Sequence, residues 1–278
     1  MKYTVLTCFF LLCLHSLAQD LVVGVIRDGR TREAIPFVSI GVKGTSKGTL
    51  TDEKGKFELS ATQFSDKDTI KITSIGYEKL MIGGSEFKKQ SVNGIYLESQ
   101  TYNLSEVVVR PDMISKKMLG TYKYSKGICT AFTGTTGNWR GEQAAMLVTN
   151  KEKKRYYFES FGFYVVKNDY ADSLQFRVMF YTADSLGFPG ETFLKKPILF
   201  KTNAKSGEVR IDLRDRNIST DGDFFISLEC LEEKMEASKF CFAGSVKVPS
   251  YFKPSAFARW GRVRGGGGDL NVEVTFQK

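Results

Sequence analysis

Short runs in which apolar and polar side chains alternate recur along almost the whole chain, and they confine it to pleated sheet. Val38, Ile40 and Val42 alternate with Ser39, Gly41 and Lys43; Phe57 and Leu59 flank Glu58, Ile70 and Ile72 flank Lys71, and Ile95 and Leu97 flank Tyr96. A strand turns successive side chains to opposite faces, so a period of two places one face in a core and the other in solvent. Asp28-Gly29, Lys47-Gly48 and Lys54-Gly55 separate these runs and are expected at turns that need a positive φ. Roughly seven strands between Leu21 and Glu98, with no convincing helix, predict a small antiparallel sandwich over residues 20–98.

Residues 99–125 read as a basic connector with a short helix. Strand patterns resume beyond it: Phe176, Val178 and Phe180, then Val209, Ile211 and Leu213, then Val272, Val274 and Phe276 alternate with polar neighbours. Residues 126–278 are therefore expected to form a second, larger sandwich of the jelly-roll kind, which makes the fold all-β.

The first residues have a different character. Lys2 precedes the apolar run Val5 to Leu14, which ends in Ser16-Leu17-Ala18. This is the order of a secretory leader, 1–18, cleaved after Ala18. It is shorter than the roughly 20 apolar residues a membrane span requires. Cys8 and Cys13 lack the surroundings of a lipid-attachment site, so the leader is read as cleaved and not lipidated. No later stretch is long and apolar enough to cross a membrane as a helix. The expected location is the periplasm, the outer-membrane surface or the extracellular space. Lys and Arg number 40 against 31 Asp and Glu, a formal net charge of +9. The excess is scattered, and with no recognition motif nucleic acid is not an expected partner.

The chain's single histidine, His15, lies in the leader. The exported chain thus has no imidazole, which removes Ser-His-Asp and Cys-His nucleophilic chemistry and the ligand that catalytic zinc sites favour. Ser-x-x-Lys occurs at Ser85/Lys88 and Ser250/Lys253, without the companion motifs of a lysine-activated serine. Gly265 to Gly268 lack the Lys-Ser/Thr of a phosphate cradle. Asp221-Gly222-Asp223 reads as a turn, since a calcium loop needs more acidic positions. No enzymatic activity, metal or cofactor is expected.

Cys129, Cys230 and Cys241 remain after the leader. A hairpin centred between Met235 and Glu236 would set Cys230 opposite Cys241, so these two are either a cross-strand disulfide or two half-buried thiols. The candidate ligand contacts are Trp139, in a glycine-rich polar stretch, and Trp260 with Arg259, Arg262 and Arg264. Exposed aromatic rings stack on sugars and arginines grip carboxylates or phosphates. The other reading of these residues is tryptophans packed at a sandwich edge, with arginines solvating a hairpin.

Several ordered segments are similar to the carboxypeptidase-regulatory-like family. They are Gly24 to Asp28, Ile35 to Ile40, Gly44 to Leu59, Ile72 to Tyr77 and Asn103 to Val109. The resemblance implies a transthyretin-like seven-strand sandwich and an accessory, non-catalytic role. Such domains precede the barrels of many TonB-dependent receptors, but the residues that follow here are too few for a large barrel. Phe176 to Val178, Asp184 to Glu191 and Asp223 to Leu228 resemble second domains of envelope proteins, similar in outline to carbohydrate-binding jelly-rolls. Two roles are expected: binding a glycan or surface component through the C-terminal sandwich, or docking onto another envelope protein by adding an edge strand.

Overall fold

The computed structural model describes residues 21–101, 114–124, 127–132, 139–246, 248–263 and 267–277. The expected leader and Arg264 lie outside them.

Among the described residues the first domain contains seven strands, one α-helix and a short 3-10 turn at Ala61–Gln63: β1 (Leu21–Asp28), β2 (Ser39–Val42), β3 (Gly48–Leu50), β4 (Lys56–Ser60), β5 (Thr69–Thr73), β6 (Leu80–Gly83), α1 (Gly84–Asn93) and β7 (Ile95–Leu97). The strands form two sheets, ordered β4-β1-β7 and β3-β2-β5-β6. The inward halves of the alternating runs meet between them: Ile26, Val38, Ile40, Phe57, Leu59, Ile70, Ile72, Ile95 and Leu97 are all buried. Two features depart from the antiparallel, helix-free expectation. β7 runs parallel to β1, and α1 carries the chain from β6 in one sheet to β7 in the other. Its anchor is Phe87, whose ring lies 5.5 Å from Phe57 and 5.6 Å from Phe64. One buried aromatic in a polar ten-residue stretch leaves too little periodicity to mark a helix.

The expected turns divide in the same way. Gly55 has φ 72° and closes the β3–β4 turn, where Asp52 Oδ1 accepts the N–H groups of Lys54 and Lys56 at 2.8 Å. Gly29 and Gly48 are not in the positive-φ region. Gly29 follows an Asp28 side chain that caps the turn, and Gly48 lies within β3.

The second domain comprises β8 (Ile114–Gly120), β9 (Cys129–Thr130), β10 (Gln143–Val148), β11 (Tyr156–Asn168), β12 (Leu174–Ala183), β13 (Pro189–Thr192), β14 (Ile198–Thr202), β15 (Gly207–Asp212), β16 (Ser219–Thr220), β17 (Phe224–Cys230), β18 (Phe240–Ser245), β19 (Ser250–Lys253), β20 (Gly261–Val263), β21 (Gly267–Gly268) and β22 (Leu270–Gln277). One sheet is ordered β13-β12-β17-β10-β19-β20, with β14 also on β12; the other is ordered β21-β18-β11-β22-β8, with β15 and β16 on β11 and β9 on β18. An aromatic core joins the two sheets, with Phe158 edge-on to Phe180 at 4.7 Å and Phe163 to Phe176 at 6.5 Å. The chain is therefore all-β, a small sandwich followed by a larger one.

Two expectations are corrected here. Residues 114–120 are not part of a helical connector: β8 pairs with β22 from Ile114↔Gln277 to Gly120↔Asn271, so the second sandwich begins before residue 126. Cys241 bonds Cys129, with Cα atoms 5.6 Å apart, and Cys230 is a buried free thiol. The physical reason lies in the topology. β17 and β18 do not form a hairpin but belong to opposite sheets, whereas β9 lies on β18 with Ala243 opposite Cys129.

Candidate functional site

Part of the outward face of β3-β2-β5 lies against the outward face of the β12-β17-β10-β19 sheet, while Met81 on β6 stays exposed. Phe37 and Leu50 from the first domain and Leu231 from the second form a small apolar cluster there. Phe37 adopts φ 54°, a left-handed conformation that is strained for a bulky residue. Its carbonyl accepts a hydrogen bond from Arg177 Nη1 at 3.0 Å. Lys201 and Glu53 add an ion pair at 2.7 Å.

Beside this cluster a cleft of about 370 Å³ opens between the sheets, within the size range of small-molecule sites. One register row runs across its second-domain wall. Arg177 on β12 stands opposite Glu229 on β17, Glu229 opposite Gln143 on β10, and Gln143 opposite Lys253 on β19. Arg177 Nε donates to Glu229 Oε2 at 2.6 Å, and both side chains are almost wholly buried. The Tyr181 hydroxyl donates to Gln143 Oε1 at 2.7 Å. Lys71 on β5 and Lys79 come from the first-domain wall.

The electrostatics of the row are uneven. Burial tends to lower the pKa of the Arg177 guanidinium, but the adjacent Glu229 carboxylate more than offsets this and holds it above its ordinary value. Among the described residues the Lys253 ammonium forms no ion pair. Burial depresses its pKa below the usual lysine range, Glu229 opposes the shift, and Lys71 and Arg177 add to it. The Tyr181 phenol is pushed up by burial. Glu229 Oε1 is buried with no hydrogen-bond partner among the described residues.

Among the described residues, none of the ligand contacts suggested by the sequence lines the cleft itself, and Trp260 alone lies beside residues that do. Trp260 sits on the flank of the cleft, half-buried, with its ring edge-on to Tyr181 at 5.7 Å and Lys253 Nζ 5.7 Å from the ring centroid. Arg259 is exposed. Arg262, also exposed, donates to the Tyr251 hydroxyl at 2.9 Å. Trp139 is half-buried against the second-domain core and does not line the cleft. Arg264 is outside the described residues. Ser250 and Lys253 are three apart on one strand and so face opposite ways, while Lys88 pairs with Asp66. Asp221 pairs with Arg155, and Asp223 accepts the Asn150 N–H, which locks the turn.

The polar row was not among the residues the sequence suggested. One signal for it existed. Phe224 to Cys230 is apolar on both faces except for Ser227 and Glu229, and a strand covered on both sides has this composition.

Two packed β-sandwiches sharing a polar cleft define the class, a two-domain all-β protein. Residues 22–109 match the CarboxypepD_reg-like domain, so the chain carries that domain as its first sandwich. Over 128 residues the chain is 34% identical to the TonB-dependent receptor SusC of Bacteroides thetaiotaomicron, a match covering 43% of this chain and 12% of the receptor. Among solved structures, the cysteine protease and lectin-like domains of Cwp84, a surface layer associated protein of Clostridium difficile, are 10% identical with a TM-score of 0.35, covering 85% of this chain and 58% of that one. A T13 particle of IBDV gives 8% identity and a TM-score of 0.26, covering 92% and 61%. Superpositions this loose equate neither fold nor function.

Proposed function

We propose that the chain is an exported, non-enzymatic protein of the cell envelope that binds a glycan or a similar surface component, with the C-terminal sandwich supplying most of the contacts. The cleft between the sheets carries this reading. Hydroxyl, amide, carboxylate and ammonium groups converge there beside a tryptophan ring, the mixture that hydroxyl-rich ligands require. The leader-like first residues support export, and the domain held in common with a TonB-dependent receptor supports an envelope setting. Among the described residues no helix is long and apolar enough to cross a membrane.

A glycan array screened with the full chain tests the reading. Binding that Trp260→Ala and Gln143→Ala weaken, with no hydrolysis of the bound sugar, is the expected result. Turnover of the sugar would remove the non-enzymatic part.

A second reading, docking onto another envelope protein, is favoured by one observation. Leu21, Val23 and Tyr96 share the outward face of β1 and β7 and are 45%, 52% and 39% exposed. An array without any binding, together with a specific protein crosslinked through this face, would establish that role instead.

A further inference from the structure

We infer that the ligand of the interdomain cleft is an acidic saccharide, whose carboxylate sits between Lys253 of the second domain and Lys71 of the first. The inference rests on the glycan-binding role proposed above and specifies its chemistry.

Four cations line the cleft, Lys71, Lys79, Arg177 and Lys253, against two carboxylates, Glu191 and Glu229. Arg177 and Glu229 are engaged with each other. Among the described residues Lys71, Lys79 and Lys253 form no ion pair, which leaves the cleft with an unbalanced positive charge. Lys253 is the odd case: it is half-buried, its ammonium stands 5.7 Å from the Trp260 ring, and among the described residues it forms no ion pair. Withdrawing an unpaired charge from water is costly, and folded chains keep such groups where a partner arrives later.

An incoming anion would supply that partner, and both walls would contribute to it. The rest of the lining indicates what else the ligand carries. The Tyr181, Gln143 and Thr192 side chains line the same cleft, and ring hydroxyls beside a carboxylate suit such donors and acceptors. Gln143, already held by Tyr181, fixes the floor of the cleft. A carboxylate and a hydroxyl on one small ring describe a uronic acid or a related acidic sugar. A plain anion such as phosphate would meet the cations but bring no ring to lie beside Trp260.

Calorimetric titration of the full chain with uronic-acid oligosaccharides, and with the same oligosaccharides methyl-esterified, tests this. Esterification removes the charge and leaves the ring hydroxyls. The acid form should bind at least about tenfold more tightly, as expected when a charge-assisted hydrogen bond is lost. Lys253→Met should remove that preference and Lys253→Arg should keep it. Lys71→Gln, on the first-domain wall, should weaken the acid form in the same direction and serves if Lys253→Met does not fold. Equal affinity for acid and ester, or unchanged preference in both variants, would overturn the acidic assignment and leave the glycan-binding role standing. Absence of binding to every acidic and neutral saccharide would overturn both.

Discussion

At Arg177 the guanidinium is committed twice, to Glu229 through Nε and to the Phe37 carbonyl through Nη1. Removing the arginine leaves a carboxylate buried and unpaired, which costs far more than the pair itself contributes. Arg177→Met is expected to destabilise the chain by about 3–5 kcal/mol in urea unfolding, and Arg177→Met with Glu229→Leu by clearly less. Asp28 carries a second prediction. Its carboxyl is lowered from 3.8 to about 2, first by the N–H of Thr31, against burial, then by the N–H of Arg30 and the hydroxyls of Tyr77 and Ser99. Burial and Asp28 together push the Tyr77 hydroxyl up to about 12. Because the folded chain binds the Asp28 proton less readily than the unfolded chain, its contribution is complete above pH 3.8 and is lost as pH falls towards 2. Asp28→Asn should therefore lower the urea midpoint at pH 6, and its difference from the parent should shrink between pH 4 and pH 2. The Lys54-Gly55 turn was readable in the sequence because a turn is a local matter. Arg177 was not: strand alternation gives its face, but another domain decides what covers that face.

Among the elements, strands were readable wherever their alternation was regular, as in β2, β4, β5, β12 and β22. The elements missed are those whose identity is set by a distant neighbour. β8 has a basic, uneven pattern, Ile114-Ser-Lys-Lys-Met-Leu-Gly120, and is a strand because β22 offers it a full-length edge. The cysteine pairing follows from the same kind of long-range placement. Cys129 and Cys241 are 112 residues apart, and closing so large a loop restricts the unfolded chain. Cys129→Ser should lower stability by about 2–5 kcal/mol under oxidising conditions and by little in reductant. Non-reducing peptide mapping should join the peptides of Cys129 and Cys241. Cys230, whose thiol burial pushes well above its ordinary pKa, should react with thiol reagents only after unfolding. A disulfide-linked peptide containing Cys230 would contradict the placement of β17 and β18 in opposite sheets.

At the scale of the whole molecule, two sandwiches are joined through faces that each sequence pattern assigns to solvent. The join depends on the absence of a side chain. Gly41 and Gly48 stand opposite each other on β2 and β3, and the Phe257 ring of the second domain occupies the space that their Cβ atoms would fill. At Gly48 a Cβ would also meet the Ile40 carbonyl, but at Gly41 every near atom belongs to Phe257. Gly41 is not in the positive-φ region, so alanine suits its backbone. Within a strand alanine is otherwise preferred to glycine by roughly 0.5–1 kcal/mol. The same substitution should therefore change sign with its background. In the parent chain Gly41→Ala forces the ring aside and should lower the thermal midpoint; in a Phe257→Ala chain it should be neutral or raise it. Destabilisation of equal size in both backgrounds would show that Phe257 does not seat the first domain on the second. The sign change would tie the interdomain cleft, and whatever it holds, to a single aromatic ring on a pair of glycines.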